Sequence, residues 1–430
     1  MNVKVMTARR VAASESGPWQ MAALQLLGAL LTAVAAPYCA AILIKPDLAT
    51  SDAFFLSLAA SLGAITISFW LFRNLADFPG IRPSYYILPV FCSVFGSAWM
   101  ALFMTRLAYS RPLLILSFVL ALAWFYLVYF KLQRGRRPTI ALAPFGRAES
   151  LLRIASVDWS RLDHPELPMR CRIVVADFDH PLDPEWQNFL AECTLQGVLV
   201  LHYKQLRQSL TGQVDIERLS ENAHGTLAPN APFILFKQVI DRALAALLLV
   251  ALLPAFAVIA LWIRCDSPGP AIFRQTRVGY RGKTFEMWKF RTMVVVGMEQ
   301  SADSREMAIT RDRDPRVTSL GATLRRSRID ELPQLINVLA GQMSLIGPRP
   351  EAVELSRWYE QKLPFYRYRH VVRPGISGWA QVNQGHVADL DGVHVKLHYD
   401  FFYISRCTIW LDLLIVLRTV KTMATGFGSR

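Results

Sequence analysis

Residues 324–351, LRRSRIDELPQLINVLAGQMSLIGPRPE, gather the densest set of groups able to do chemistry. Asp330 and Glu331 stand side by side ahead of the apolar Leu332, Leu335, Ile336, Val338 and Leu339, a pattern that predicts a helix opening on an acidic cap. Capping is the ordinary explanation of such a pair, and the neighbours argue for more. Arg325, Arg326 and Arg328 lie just upstream, and Arg349 sits between two prolines in GPRPE. Guanidiniums beside an exposed acidic pair suit a site for phosphate anions at a helix N-terminus. An aspartate there can attack as a nucleophile and form an acyl phosphate. A neighbouring glutamate can hold Mg2+, which binds through a carboxylate or two plus substrate phosphates and neutralises their charge.

Other candidates are weaker. His394 and His398 have the i, i+4 spacing of metal ligands on a helix, but no third ligand accompanies them and a surface or interface pair accounts for them. Asp412 lies among apolar residues in IWLDLLIVLRTVKTM (409–423), so it is expected to be paired or functional. That amphipathic stretch is too short to span a bilayer; it either rests on a membrane surface or covers the core. In RPGISGWAQ, Arg373, Trp379 and Gln381 either shape a substrate pocket or belong to a tight turn at Gly375 and Gly378.

The elements that must position these groups follow from composition. The chain has 430 residues, of which 53% are hydrophobic and 19% charged, too apolar for a soluble enzyme. A net charge of +14 points to anionic partners such as lipid headgroups or phosphorylated substrates. Nucleic acid is excluded as a partner, because no aromatic stacking motif or reading helix accompanies the charge. Six scattered cysteines form no CxxC pair, which argues against a disulfide framework or a zinc site and for a reducing compartment.

Four uncharged runs, 16–44, 53–72, 83–105 and 112–130, are each long enough to be a transmembrane helix and predict a four-helix bundle behind a short N-terminus (1–20). The first run lacks a cleavage site and reads as a retained anchor. With the N-terminus inside, the inner loops hold Lys4, Arg9, Arg10, Arg73, Arg82, Lys131, Arg134, Arg136 and Arg137, and the outer loops only Lys45, Arg106 and Arg111. That excess puts the N-terminus and everything after residue 131 in the cytoplasm. Residues 138–208 alternate strands (TIALAPFG, CRIVVADF, GVLVLHY) with helices (RAESLLRIA and DPEWQNFLAECTLQ, the latter capped at Asp183), which predicts a Rossmann-like parallel α/β module. Its first turn offers a single glycine, Gly146, so the module is expected to hold no nucleotide. A polar linker (209–232) leads to an α+β domain at 233–430.

That domain opens on ALAALLLVALLPAFAVIALWI (243–263), long enough to cross. Basic residues flank it on both sides: Lys237 and Arg242 before, Arg264, Arg274 and Arg277 after. Both flanks therefore belong on one face. Pro254 removes a hydrogen bond at mid-length and predicts a helix–break–helix hairpin dipping into one leaflet.

Three stretches carry a resemblance. SPGPAIFRQTRVGYRGKTFEMWKFRTM (267–293), DPRVTSLGATLRRSRIDELPQLINVLAGQMSLIGPRPE (314–351) and VRPGISGWAQVNQG (372–385) resemble the bacterial sugar transferases, also called polyprenyl-phosphate hexose-1-phosphate transferases or monotopic phosphoglycosyl transferases. The resemblance covers residues 233–430, and the four helices and α/β module in front look like the family's large form. It implies transfer of a sugar-1-phosphate from a UDP-sugar to undecaprenyl phosphate at the cytoplasmic face of the bacterial inner membrane, releasing UMP. Such a step opens exopolysaccharide, capsule or O-antigen assembly. Asp330 matches the family's nucleophile and Glu331 its Mg2+-binding residue, while Arg325, Arg349, Lys289 and Asp412 match positions that bind or organise substrate. The family's re-entrant helix breaks at a Ser-Pro pair; here Leu253 precedes Pro254. The implied partners are the UDP-sugar, undecaprenyl phosphate and membrane lipid, with self-association, the donor sugar and the role of the α/β module left open. The alternative reading is a catalytically idle scaffold recruiting envelope enzymes, against which the intact Asp330–Glu331 pair speaks.

Overall fold

A computed structural model describes residues 18–75, 84–132, 139–155, 157–168, 171, 173–214, 231–294, 314, 316–385, 387 and 389–425. The chain divides into two units, Met1–Gly212 and Gln213–Arg430.

The first unit starts with apolar helices. α1 (Pro18–Leu30) passes through one π-helical turn (Leu31–Ala35) into α2 (Ala36–Ile44). Pro37 explains the widened turn, since it has no N–H to return to the Ala33 carbonyl. α3 (Asp52–Leu75), α4 (Ser84–Met104) and α5 (Arg111–Leu132) follow, so each apolar run of the sequence falls on helix. Ala29, Ala33, Ile65, Phe91 and Phe125 share one buried core between them, while Leu27, Trp70, Met100 and Phe103 face outward. So much exposed apolar surface requires lipid rather than water. With the long helix described below, five helices among the described residues are long and apolar enough to cross a membrane. This is a membrane protein. Of the charges that set the expected orientation, Lys4, Arg9, Arg10, Arg82, Arg134, Arg136 and Arg137 lie outside the described residues.

The α/β module is a four-stranded parallel sheet of β1 (Thr139–Leu142), β2 (Asp158–Arg161), β3 (Ile173–Ala176) and β4 (Leu199–His202) in the order β2-β1-β3-β4. β2 has no apolar signature, because it is a four-residue edge strand with Asp158 and Arg161 exposed. RAESLLRIA, expected as a helix, is one of the 3-10 kind over Gly146–Arg153. The short crossover between neighbouring β1 and β2 favours the tighter winding. α6 (Pro184–Leu195) starts as expected with Asp183 at its cap position, though the Asp183 side chain makes no capping bond. α7 (Tyr203–Thr211) carries the module into the expected linker, whose residues 215–230 lie outside the described residues.

The second unit opens with α8 (Ala231–Asp266) and the antiparallel hairpin β5 (Ile272–Val278) and β6 (Thr284–Phe290). α9 (Ser319–Arg326), a 3-10 turn (Ile329–Glu331), α10 (Gln334–Leu339) and β7 (Ser344–Ile346) come next. α11 (Val353–Lys362), β8 (Gly375–Ser377, parallel to β7), α12 (Trp379–Asn383), α13 (Leu390–Ser405) and α14 (Ile409–Thr425) complete an α+β body.

The break expected at Pro254 is not one: α8 stays helical through it. Packing gives the reason. Ahead of the proline, Ala245, Leu249 and Leu252 lie on Phe285, Met287, Leu335 and Val338. Beyond it, Phe256, Ile259, Ala260 and Ile263 lie on Phe290, Leu324 and Ile329. Each such side chain contributes up to about 1.5–3 kcal/mol when buried, which together outweighs the roughly 3 kcal/mol a helical proline costs. The opposite face, with Leu247, Val250, Leu253, Leu261 and Trp262, is exposed.

Both ends of α8 are also clamped to the same body. At the N-terminal end Lys237 Nζ reaches Asp412 Oδ2 at 2.6 Å and Asp241 Oδ2 at 3.4 Å. Asp241 in turn accepts from Ser344 Oγ, the first residue of β7. At the C-terminal end Arg291 donates to the carbonyls of Ile263 (3.2 Å), Ser267 (2.6 Å) and Pro268 (2.8 Å), capping the helix just after β6.

Candidate active site

Three cations are carried to the acidic pair by three different elements. Lys289 is the penultimate residue of β6, whose free edge is held by a side chain: Asn337 Nδ2 donates to the Glu286 carbonyl (2.7 Å) and its Oδ1 accepts from the Trp288 N–H (3.0 Å). Arg349 follows β7 in a proline-bracketed turn. Arg369 Nη2 donates to the Arg349 carbonyl (2.9 Å) and Arg277 Nη1 to that of Pro350 (3.3 Å). β7 and β8 meet where Gly347, Gly375 and Gly378 bring backbone against backbone with no room for a Cβ. Arg325, in the last turn of α9, donates Nε to Thr292 Oγ1 at 2.8 Å. Gly321 makes that approach possible, because a Cβ there would collide with the Thr292 carbonyl.

The pair itself differs from expectation in two respects. It is buried rather than exposed, and it lies in the 3-10 turn, three or four residues ahead of α10, where neither carboxylate caps a helix. The turn exists because Arg328 adopts a left-handed backbone (φ 56°, ψ 19°) between α9 and Ile329. Glu331 Oε1 accepts from Arg349 Nη2 at 2.6 Å and Lys289 Nζ at 3.3 Å. Burial alone would raise the Glu331 pKa, but Arg349 and Lys289 hold it well below the ordinary carboxylate range. Asp330 accepts no hydrogen bond among the described residues. Burial first, and then the charge of Glu331, raise its pKa to about 6, with Lys289, Arg349 and Arg325 offsetting part of that. The result is one carboxylate fixed as an anion and its neighbour left ionisable and unengaged.

Asp330 and the second oxygen of Glu331 carry no protein partner among the described residues, and two adjacent buried carboxylates repel each other. That donor set fits a hard divalent cation.

The structure gives the remaining candidates other partners. Asp412 belongs to the α8 clamp with Lys237 and with the Tyr403 hydroxyl at 2.9 Å. Arg373 donates Nε to the Gly341 carbonyl (2.7 Å) and lies 5.1 Å over the Tyr280 ring. Trp379 and Gln381 are buried, with Trp379 stacked on Phe402, and Gln381 Nε2 donating to the Ile376 carbonyl. His394 and His398 stack edge to face at 4.5 Å on α13 without joining any three-ligand cluster among the described residues. α14 buries Leu411, Leu414 and Ile415 in the core while Val416, Val420 and Met423 stay exposed. Thr292 and Asn337 escape sequence reasoning, although a lone asparagine among Leu335, Ile336, Val338 and Leu339 is the signal of a buried polar anchor.

In the α/β module, the carboxyl edge of the sheet collects Asp177, Asp179 and His202. It sits where strand order reverses, the usual ligand crevice of such sheets. The Asp177 carboxylate takes the Arg147 and Asp179 N–H groups at 2.9 and 3.0 Å. Lys204 occupies Asp179 at 2.9 Å. His202 Nδ1 accepts from the Lys204 N–H, leaving its proton on Nε2, the nitrogen that faces the carboxylates and would have to bind a metal.

An apolar-helix anchor and a body that buries a half-engaged acidic pair under cations define a membrane-bound group-transfer enzyme. Residues 233–426 match the family described as bacterial sugar transferase. A UDP-N-acetylgalactosamine-undecaprenyl-phosphate N-acetylgalactosaminephosphotransferase of Aeromonas hydrophila is 43% identical over 355 residues, covering 82% of this chain and 83% of the relative. A UDP-glucose:undecaprenyl-phosphate glucose-1-phosphate transferase of Escherichia coli K12 is 44% identical over 188 residues, 43% of this chain and 39% of the relative. An undecaprenyl-phosphate glucose phosphotransferase of Komagataeibacter xylinus is 34% identical over 282 residues, covering 61% of this chain and 49% of the relative. The chain belongs to the bacterial sugar transferase family.

Proposed function

We propose that this enzyme transfers a hexose-1-phosphate from a UDP-sugar to undecaprenyl phosphate through a covalent intermediate on Asp330, opening the assembly of a surface polysaccharide. The observation that carries the reading is Asp330 itself: a buried carboxylate with no hydrogen bond, beside Glu331 already neutralised by Arg349 and Lys289. A structural aspartate would have used those cations. In the first step an Asp330 oxygen attacks the phosphorus that bears the sugar; the bond to the bridging oxygen breaks and UMP leaves with the electron pair. In the second, a phosphate oxygen of undecaprenyl phosphate attacks the same phosphorus and releases Asp330. Arg325, with Nε spent on Thr292, presents its remaining donors toward the diphosphate, and Arg349 and Lys289 keep Glu331 anionic. Mg2+ held by Glu331 would neutralise the diphosphate and stabilise the leaving group.

The reading includes topology. The first four apolar helices form a bundle in the bacterial inner membrane with the N-terminus inside, and α8 enters and leaves the cytoplasmic face. What supports the last point is the double clamp. Lys237 and Ile263 are 26 residues apart, about 39 Å along a straight helix, more than the roughly 30 Å hydrocarbon core. Both are nonetheless bonded to one polar body, which a crossing would have to drag through lipid.

The purified full chain, given Mg2+, undecaprenyl phosphate and a panel including UDP-N-acetylgalactosamine and UDP-glucose, is expected to release UMP over many turnovers only when the lipid acceptor is present, and no more than one equivalent per enzyme without it. Silence on every donor, or undiminished release by Asp330→Asn, would overturn the reading.

A further inference from the structure

Among the described residues only Arg106, Arg281, Arg328 and Phe365 have a positive φ without being glycine. Arg328 is the one that leads directly into the acidic pair. Glycine takes this conformation freely and arginine does not, so an arginine at this position is a strained choice that its side chain has to justify.

That side chain is half-buried, attracted by Glu331 and Asp330 and repelled by Arg349. Its neighbours have settled partners: Arg325 donates to Thr292, Arg349 to Glu331, and Arg369 to Asp400, Tyr366 and the Arg349 carbonyl. Arg328 forms no side-chain hydrogen bond and no ion pair among the described residues. Glu331 does not pair with it: Oε1 holds Lys289 and Arg349, and no ion pair joins either Glu331 oxygen to Arg328 among the described residues. A guanidinium carries five N–H donors in a planar fork, and those of Arg328 have no protein partner among the described residues yet are not sealed from solvent, so a ligand can reach them. The matching acceptor is a phosphoryl group, which takes such a fork through two oxygens.

We propose that Arg328 is a substrate-binding residue whose guanidinium donates to the diphosphate oxygens of the nucleoside diphosphate-sugar. The proposal rests on the reaction set out above and adds a fourth cation to it, one that stands empty until substrate arrives. The strained turn then has a purpose: it turns the Arg328 side chain and the two carboxylates toward the same space.

Arg328→Gly separates this role from a structural one. It relieves the backbone while removing the fork, so its melting temperature should equal or exceed that of the parent chain. KM for the UDP-sugar should rise about ten- to hundredfold, the weight of a charge-assisted hydrogen bond, with kcat less affected. Arg328→Lys, which keeps charge but not the fork, should recover part of the loss. Arg328→Asn, tolerant of the same backbone, serves if the glycine variant does not fold and should show the same KM increase. A normal KM in these variants, or a change confined to kcat, overturns the assignment. A parent chain that releases no UMP from any donor sinks the underlying reaction instead, so the two failures are distinguishable.

Discussion

Two sites that bury an aspartate beside a second acid end in opposite states. At the carboxyl edge of the parallel sheet, Asp177 accepts two backbone N–H groups, and Asp179 holds Lys204. In the transferase body, Glu331 takes two cations and Asp330 takes nothing among the described residues. The composition of the two sites is alike: carboxylates, a basic side chain, a left-handed or tight turn. What separates them is saturation. A fully bonded carboxylate contributes to stability, whereas one held bare costs it, as expected of a group kept for function.

The widest separation should come from matched amides. Asp330→Asn should lower UMP release more than about a thousandfold, as loss of a nucleophile does. Asp177→Asn should leave turnover within about twofold yet cost about 1–3 kcal/mol of stability in thermal melting, because an amide cannot accept both backbone N–H groups. Equal loss of activity at the two sites would erase the contrast.

A middle-sized effect is expected from pH. With Asp330 raised to about 6 and Glu331 held far lower, the rate should fall about tenfold per unit once pH drops below about 6. Stability should move the other way. The folded pKa of Asp330 lies above the unfolded value of about 3.9, so ionised Asp330 costs stability increasingly as pH rises from about 4 to 6, and the full cost persists above. Asp330→Asn should therefore melt above the parent chain at pH 8 and close to it near pH 4. A lower melting point at pH 8 would show that Asp330 is bonded after all.

The smallest effect concerns Arg325. Thr292→Val keeps the shape and removes the acceptor for Arg325 Nε, and should raise KM about three- to tenfold; Thr292→Ser should restore it. No difference between Val and Ser would mean that Arg325 is held by other means.

The acidic pair and its arginines were legible because they crowd one short stretch, and the four apolar helices because length and composition suffice to reveal them. Burial of the pair was not legible. It depends on the backbone of Arg328 and on Lys289 arriving from β6, 42 residues upstream of Glu331. Asp412 was expected to be paired or functional, but its partner Lys237 lies 175 residues away, and no local pattern joins them. The strand β2 escaped because an exposed edge strand of four residues needs no apolar alternation. Pro254 misled because a local rule for proline met a packed face on both sides of it.

The two anchorages of α8 have a mechanical consequence. One of them, Arg291, lies two residues beyond Lys289; the other, through Asp241 and Ser344, is the root of the strand leading to Arg349. The helix is thus a beam resting on two supports, and each support continues into one of the two cations that hold Glu331. A displacement of the beam would load both supports together and, through them, both cations beside Asp330.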